Sequence, residues 1–341
     1  MAPPKRTSSD RILALDFTKG ALVLIMVLYH WINYFIGFDW PYYRYLRFLT
    51  PSFIFVSGFL ISNVYLSRYN IADRQLSKRL LTRGLKLLAI FVILNAARAV
   101  LFAKSHPGIA AGYELDSKTL ATIFLTGNTL TATSKTVAFY ILVPISYLLL
   151  LSAVLIFPYK LCKHTFHLVC AIFLCGILAL DLKGFQSSNL EFVTVGLLGL
   201  LAGFLPIDRI NRMVGHRFAL AVSYACYLGA ITVWNVPFLL LCVGACLSVA
   251  AIYVLGLTEN EPVRARGNVI LLGKYSLFGY ISQIAILQLL SAGFRHVHIG
   301  DFVLGISFLA AFGLTMLSVE AVDQLRKKST IASVLDRAVF A

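Results

Sequence analysis

The sequence predicts an all-α integral membrane protein, a bundle of about ten transmembrane helices with both termini cytoplasmic. Three observations predict it. The 341 residues are 59% hydrophobic and only 13% charged, with a mean hydropathy of +0.82; a soluble domain cannot cover itself with so few polar groups. The apolar residues gather in repeated runs of roughly 18–25, the length that crosses the hydrocarbon of a bilayer. Those runs are continuous rather than alternating, so they are helices and not barrel strands.

The candidate spans cover about residues 13–36, 48–67, 85–103, 136–157, 165–181, 190–206, 218–234, 236–256, 269–292 and 302–324. The first follows "MAPPKRTSSDR" with no small-residue cleavage site, so it reads as a retained helix rather than a signal peptide. Spans 2 and 3 are joined by "SKRLLTRGLK". Spans 3 and 4 are joined by the longest external loop, 104–135, whose apolar island "LATIFLTG" suits an interfacial or re-entrant segment. Pro144 interrupts span 4. Spans 6 and 7 are linked through Arg209, Arg212 and Arg217, and spans 7 and 8 by a short turn. Residues 326–341 form a tail in which Ile331, Val334, Leu335 and Ala338 fall at helical spacing, as in an interfacial amphipathic helix. There is no internal repeat and no soluble domain, so residues 1–341 read as one domain.

Charge orients the bundle. With the N-terminus in the cytoplasm, 22 of the 30 lysines and arginines fall on that side, as positive-inside bias requires. The net charge of +15 does not point to nucleic acid, because the cations lie between apolar runs and not on one face. The six cysteines show neither disulfide-framework nor metal spacing and read as small apolar-segment residues.

Polar residues inside spans are costly and are functional candidates by default. The stretch "LDFTKGALVLIMVLYH" places Asp16 and Lys19 near the inner start of span 1 and His30 near its outer end. Asp16 and Lys19 suit an i, i+3 ion pair in a first turn. His30, amid "YHWINY", suits either an aromatic belt or a general base. Arg79 and Arg83 are four apart, hence on one helix face, a pairing that matches phosphate oxygens. In span 2, Ser57-Gly58 permits close helix approach or a ligand contact. Ser276, Tyr280, Ser282 and Gln283 make span 9 polar for a lipid-facing helix. Lipid contact does not explain Asn95 or Arg98. His296 and His298, between spans 9 and 10, are too few to make a metal site.

These motifs together resemble the transmembrane acyltransferase superfamily, which includes acyltransferase-3 proteins, glucan succinyltransferases and heparan-α-glucosaminide N-acetyltransferase-like proteins. "LDFTKG" with a histidine eleven positions after Lys19 resembles that family's "LDxxRG" and its histidine. "FIFVSGFLIS" resembles "FFxxSGFLI", "KRLLTR" the arginine pair after the second span, and "LGKYSLFGYISQIAIL" the late "GxxSLxxYxxHxxIL" helix. Lys19 stands where relatives carry arginine, so a bidentate contact becomes a point charge. Gln283 stands where many relatives carry histidine.

The resemblance implies an acyltransferase using cytoplasmic acyl-CoA, with acetyl-CoA as the expected co-substrate, and an extracytoplasmic carbohydrate acceptor. It places the chain in a bacterial inner membrane, with no metal and no nucleic acid partner. On that expectation Lys19, Arg79 and Arg83 bind the anionic end of the donor. His30 acts as general base. Asp16, Ser57, Tyr280 and Gln283 support the site, and Trp31, Tyr42 and Tyr43 either stack on the acceptor sugar or form an aromatic belt. The alternative is a non-catalytic transporter of a small solute or sugar-lipid. Ion-coupled transporters generally place carboxylates in mid-membrane, whereas Asp16, Asp181, Glu191, Glu320 and Asp323 all lie toward span ends.

Overall fold

The computed structural model describes residues 12–37, 41–66, 74–105, 117–127, 138–234, 238–257, 264–294, 300–330 and 334. In chain order they form α1 (Leu13–Phe35), a 3-10 turn (Pro41–Leu46), α2 (Leu49–Leu60) passing into a π-helical stretch (Ile61–Leu66), α3 (Arg74–Ser105), α4 (Ser117–Leu125), α5 (Leu142–Leu161), α6 (Thr165–Leu182), α7 (Ser188–Ala202), α8 (Ile207–Val214), α9 (Arg217–Val233), α10 (Phe238–Leu257), α11 (Arg264–Lys274), α12 (Ser276–Gly293) and α13 (Asp301–Lys328). Every regular element among the described residues is helical.

Eight of these helical segments are long and apolar enough to cross a membrane, and a ninth arises only if α7 and α8 are counted as one bent pair. The sequence expectation of ten differs for local reasons. α9 is an apolar helix of only 17 residues, too short to count as a span. The chain turns through Gly203–Pro206, where proline cannot continue α7. The run 269–292 still supplies one of the eight, Ser276–Gly293, although not as one rod: the helix ends at Lys274 and restarts at Ser276. Pro144 does not interrupt span 4, because α5 begins at Leu142 and the proline occupies its first turn, where its missing N–H costs no helical bond. Outward-facing side chains such as Phe302, Leu309 and Leu289 are 70–80% exposed, a surface that lipid rather than water satisfies. All six cysteines are free.

The chain that reads as one domain divides into two compact units, Met1–Phe53 with Asp208–Ala341, and Ile54–Ile207. In the first unit α1 is the central helix, packed by α10, α11, α12 and α13. Its closest neighbour is α11. A Cβ added at Gly20 would land on the Val269 carbonyl oxygen, and one at Gly273 on the Asp16 carbonyl oxygen. The two backbones touch there, as small residues allow in membranes. Farther along α1, Val27, Trp31 and Ile32 form a core with Leu287 of α12 and Ala311 of α13.

In the second unit α3 lies along α5, laced by Ser146 Oγ donating to the Gly84 carbonyl (2.6 Å) and Ser77 Oγ to the Ala153 carbonyl (2.7 Å). The π-helical end of α2 meets α7, where Ser62 Oγ donates to the Leu200 carbonyl at 2.7 Å. A Cβ at Gly58 would strike the Gly196 carbonyl, so Gly58 marks a helix crossing. The island "LATIFLTG" forms most of α4, which packs back on the unit: Ile123 is buried, and Asn189 Nδ2 and the Tyr147 hydroxyl donate to the Ile123 and Phe124 carbonyls respectively. Asn95 is explained by a two-way clamp on Ala138, donating to its carbonyl (2.9 Å) and accepting from its N–H (3.0 Å). Of the predicted tail, residues 331–333 and 335–341 lie outside the described residues, as do His296 and His298.

Candidate functional site

α1 runs unbroken from Leu13 to Phe35. Lys19 and His30 are therefore about 16 Å apart along its axis at 1.5 Å per residue, and eleven residues make close to three turns, so both lie on nearly one face. At the first end, Lys19 Nζ is 2.7 Å from Asp16 Oδ1 and the carboxylate is buried. The pair is the i, i+3 contact expected from the spacing, set beside the Gly20–Gly273 crossing.

At the other end His30 is half-buried. Its ring meets Tyr29 edge-on at 5.2 Å and Tyr280 of α12 at 6.3 Å. Among the described residues the imidazole has no hydrogen-bond partner. Tyr280 and Gln283 are three apart on the buried face of α12, with Gly279, Ile284 and Leu287. Gln283 is fully buried, and neither its Nε2 nor its Oε1 has a hydrogen-bond partner among the described residues. A buried side-chain amide left unpaired costs about 1–3 kcal/mol. A helix facing its neighbours would lose nothing in packing by carrying leucine there, so the glutamine is explained by a ligand more readily than by the fold.

That cost sets a first prediction. Gln283→Leu is expected to raise unfolding stability by about 1–3 kcal/mol, because it removes two unpaired polar atoms at nearly conserved volume. Thermal unfolding of the detergent-purified variant measures it. A loss of stability instead would mean that the amide is satisfied in the folded protein.

The aromatic residues expected to bind an acceptor separate. Trp31 is enclosed: its Nε1 donates to Ser307 Oγ at 2.9 Å and its ring packs against Phe35 and Phe308. Its ring faces are taken up by the core, which corrects the picture of an open stacking platform. Tyr42 is 58% exposed and stacks on Tyr45. The Tyr43 side chain lies outside the described residues.

Ser57, Arg79 and Arg83 belong to the second unit. Ser57 is half-buried on α2. Arg79 is exposed on α3. Arg83 is half-buried; its guanidinium donates to the Tyr65 hydroxyl and lies over that ring, 5.8 Å from its centroid. Tyr65 sits in the π-helical stretch, a feature frequent at functional sites. The same end of α3 borders a cleft of about 380 Å³ lined by Arg74, Gln75, Ser77, Lys78, Leu81 and Phe157.

Sequence reasoning passed over one cluster in the first unit. Asp323 of α13 accepts from the Tyr275 hydroxyl (2.8 Å) and Lys274 Nζ (3.2 Å), and its other oxygen is 2.6 Å from Lys327 Nζ. Arg326 donates to the Tyr275 hydroxyl at 3.1 Å. Two lysines thus share one carboxylate at the α11–α12 break, and Arg326 joins them through the Tyr275 hydroxyl. The i, i+4 spacing of Asp323 and Lys327 was the only signal for it. Among the described residues no group of three or more His, Cys, Asp or Glu side chains could hold a metal ion.

Comparison with known proteins adds no relative to this geometry: no family model, curated protein or solved structure matches the chain.

Proposed function

We propose that this chain is a membrane-embedded acyltransferase, moving an acyl group, acetyl as the expected case, from cytoplasmic acyl-CoA to a hydroxyl or amine of an extracytoplasmic carbohydrate. The observation that carries the reading is the pairing of two groups on facing helices of the first unit. His30 is an imidazole without a hydrogen-bond partner among the described residues, against Tyr280. Gln283, three residues along from Tyr280, is a buried amide with both atoms open. A general base needs a free nitrogen near the proton it takes. A tetrahedral oxyanion needs a preformed donor in a dry site.

In this reading His30 removes the acceptor proton as the acceptor oxygen or nitrogen bonds to the thioester carbonyl carbon. The C–S bond then breaks, and the imidazolium returns the proton to the departing CoA thiolate. Lys19, on the same face of α1 about three turns away, suits a charge contact with the donor. The resemblance of "LDFTKGALVLIMVLYH" to the superfamily's first helix supports the same assignment.

Acetyl-CoA is expected to raise the Tm of the purified protein by about 2–5 °C at saturation. Labelled acetyl is also expected to pass to a carbohydrate acceptor in proteoliposomes. Arg79→Ala with Arg83→Ala is expected to weaken the acetyl-CoA response about tenfold or more in apparent affinity. An unchanged response restricts the pair to setting topology. One observation favours the transporter alternative: the break between α11 and α12, since transporters often use discontinuous helices. Solute uptake into proteoliposomes with no response to any acyl-CoA would establish that alternative and end the acyltransferase reading.

A further inference from the structure

The short helix α8 has no role in the reading above, yet its faces are sorted. Ile207, Ile210, Asn211 and Val214 are half-buried, and Asp208, Arg209, Arg212 and Met213 are exposed. At 100° per residue these sets fall on opposite sides of the helix. The roll is fixed from within the first unit, because the Tyr253 hydroxyl of α10 donates to Asn211 Oδ1 at 3.0 Å. The side turned away carries a cleft of about 440 Å³ lined by Arg209, Arg212, Met213 and His216.

Two features of that side identify the environment it faces. The first is apolar exposure among cations: Met213, in the cleft wall with Arg209, Arg212 and His216, is 60% exposed, and Phe218, next to Arg217 at the start of α9, is 83% exposed. Water disfavours this arrangement, whereas the boundary between headgroups and acyl chains satisfies both halves of it. The second is its place in the unit. Tyr253 and Gly256 lie at the C-terminal end of α10. A Cβ at Gly256 would meet Ala14 and Phe17 of α1, and Arg266 donates to the Gly256 carbonyl at 2.8 Å. Through α1 and α11 the same end holds Lys19, Lys274, Arg326 and Lys327. α8 therefore lies at the cation-rich end of the first unit, where anionic headgroups are attracted.

We infer that the α8 cleft binds the headgroup of an anionic phospholipid. Arg209 and Arg212, three apart on the outer face, reach the phosphate oxygens with their planar forks. Met213 and Phe218 lie along the start of the acyl chains. Binding at this cleft is independent of acyl transfer.

The test compares the Tm of the detergent-purified protein with phosphatidylglycerol, with phosphatidylcholine and with inorganic phosphate. Phosphatidylglycerol is expected to raise Tm by about 3 °C or more over phosphatidylcholine. Arg209→Gln with Arg212→Gln is expected to abolish that difference without lowering the lipid-free Tm, since both side chains are exposed and α8 is held through Asn211. Arg74→Gln with Lys78→Gln, in the other basic cleft, is expected to keep it. A double variant that retains the full shift overturns the site. An equal shift with inorganic phosphate overturns the lipid assignment and leaves a simple anion site. If the double variant does not fold, Arg212→Gln alone is compared with the unaltered protein by native mass spectrometry. Loss of retained phosphatidylglycerol supports the cleft, and unchanged retention overturns it.

Discussion

Replacing His30 by alanine is expected to lower acyl transfer by about 10²–10⁴-fold, the usual contribution of a positioned general base. The same substitution is expected to leave Tm within about 2 °C. The two halves come from one geometry. His30 is half-buried and, among the described residues, makes ring contacts with Tyr29 and Tyr280 but no hydrogen bond. Alanine therefore strands no donor or acceptor and opens little space in the core. Nothing in the fold requires an imidazole there, so a structural role predicts no loss of activity and a catalytic role predicts nearly all of it. The measurement is transfer of labelled acetyl from acetyl-CoA in proteoliposomes, with Tm read on the same preparation. Activity within a few-fold of the unaltered protein would remove His30 from the mechanism. A large fall in Tm would make it a packing residue. His30→Gln distinguishes a base from a hydrogen-bond donor: the amide can donate but not take a proton at neutral pH, so its rate is expected to match alanine.

Much of the fold could be read from the sequence because lipid enforces a simple rule. Wherever backbone crosses hydrocarbon it must be helical, so a long apolar run reports both an element and its approximate ends. The run at 13–36 became α1 with almost those limits. Breaks inside runs were not legible. Tyr275 is itself apolar enough to pass for span interior, and at the break between α11 and α12 its hydroxyl joins a long-range network to Asp323 and Arg326 of α13 that the local sequence does not announce. Pro144 shows the same limit, since a proline's effect depends on which turn it occupies and only the fold sets that. In the candidate site, the i, i+3 contact of Asp16 with Lys19 was readable from local spacing. The neighbours of His30 were not, because Tyr280 is 250 residues away in the chain. Trp31 misled for a related reason: a tryptophan near a span end suits an aromatic belt, and only its bond to Ser307 reveals a core residue. α8 did carry a signal, in the alternation within "IDRINRMV", but its eight residues are too few to claim a span.

Gly273→Leu is expected to be the most damaging single change in the first unit, costing more than about 4 kcal/mol and sharply reducing folded yield. Any Cβ at this position would sit on the Asp16 carbonyl oxygen, with the Asp16 carbonyl carbon and the Gly20 nitrogen also too close. The obstacle is backbone from both sides. It cannot rotate away as a side chain would, so α11 must withdraw from α1. Withdrawal is costly in lipid, where no hydrophobic force draws helices together and close backbone contact is the main attraction. Gly267 of α11 is the control, because a Cβ there meets nothing within 4 Å; Gly267→Leu is expected to change stability by no more than about 0.5 kcal/mol. Folded yield by size-exclusion chromatography and Tm in detergent compare the two. Equal behaviour would show that α1 and α11 do not meet backbone to backbone. The crossing also bears on the chemistry. Gly273 is followed by Lys274 and Tyr275, after which α12 begins at Ser276 and carries Tyr280 to His30. The glycine pair thus fixes Asp16 and Lys19 at one end of α1 and sets the placement of the helix that reaches His30 at the other. Gly273→Ala, the smallest intrusion, is therefore expected to lower the transfer rate in the fraction that folds, because the added methyl displaces α11 and with it α12.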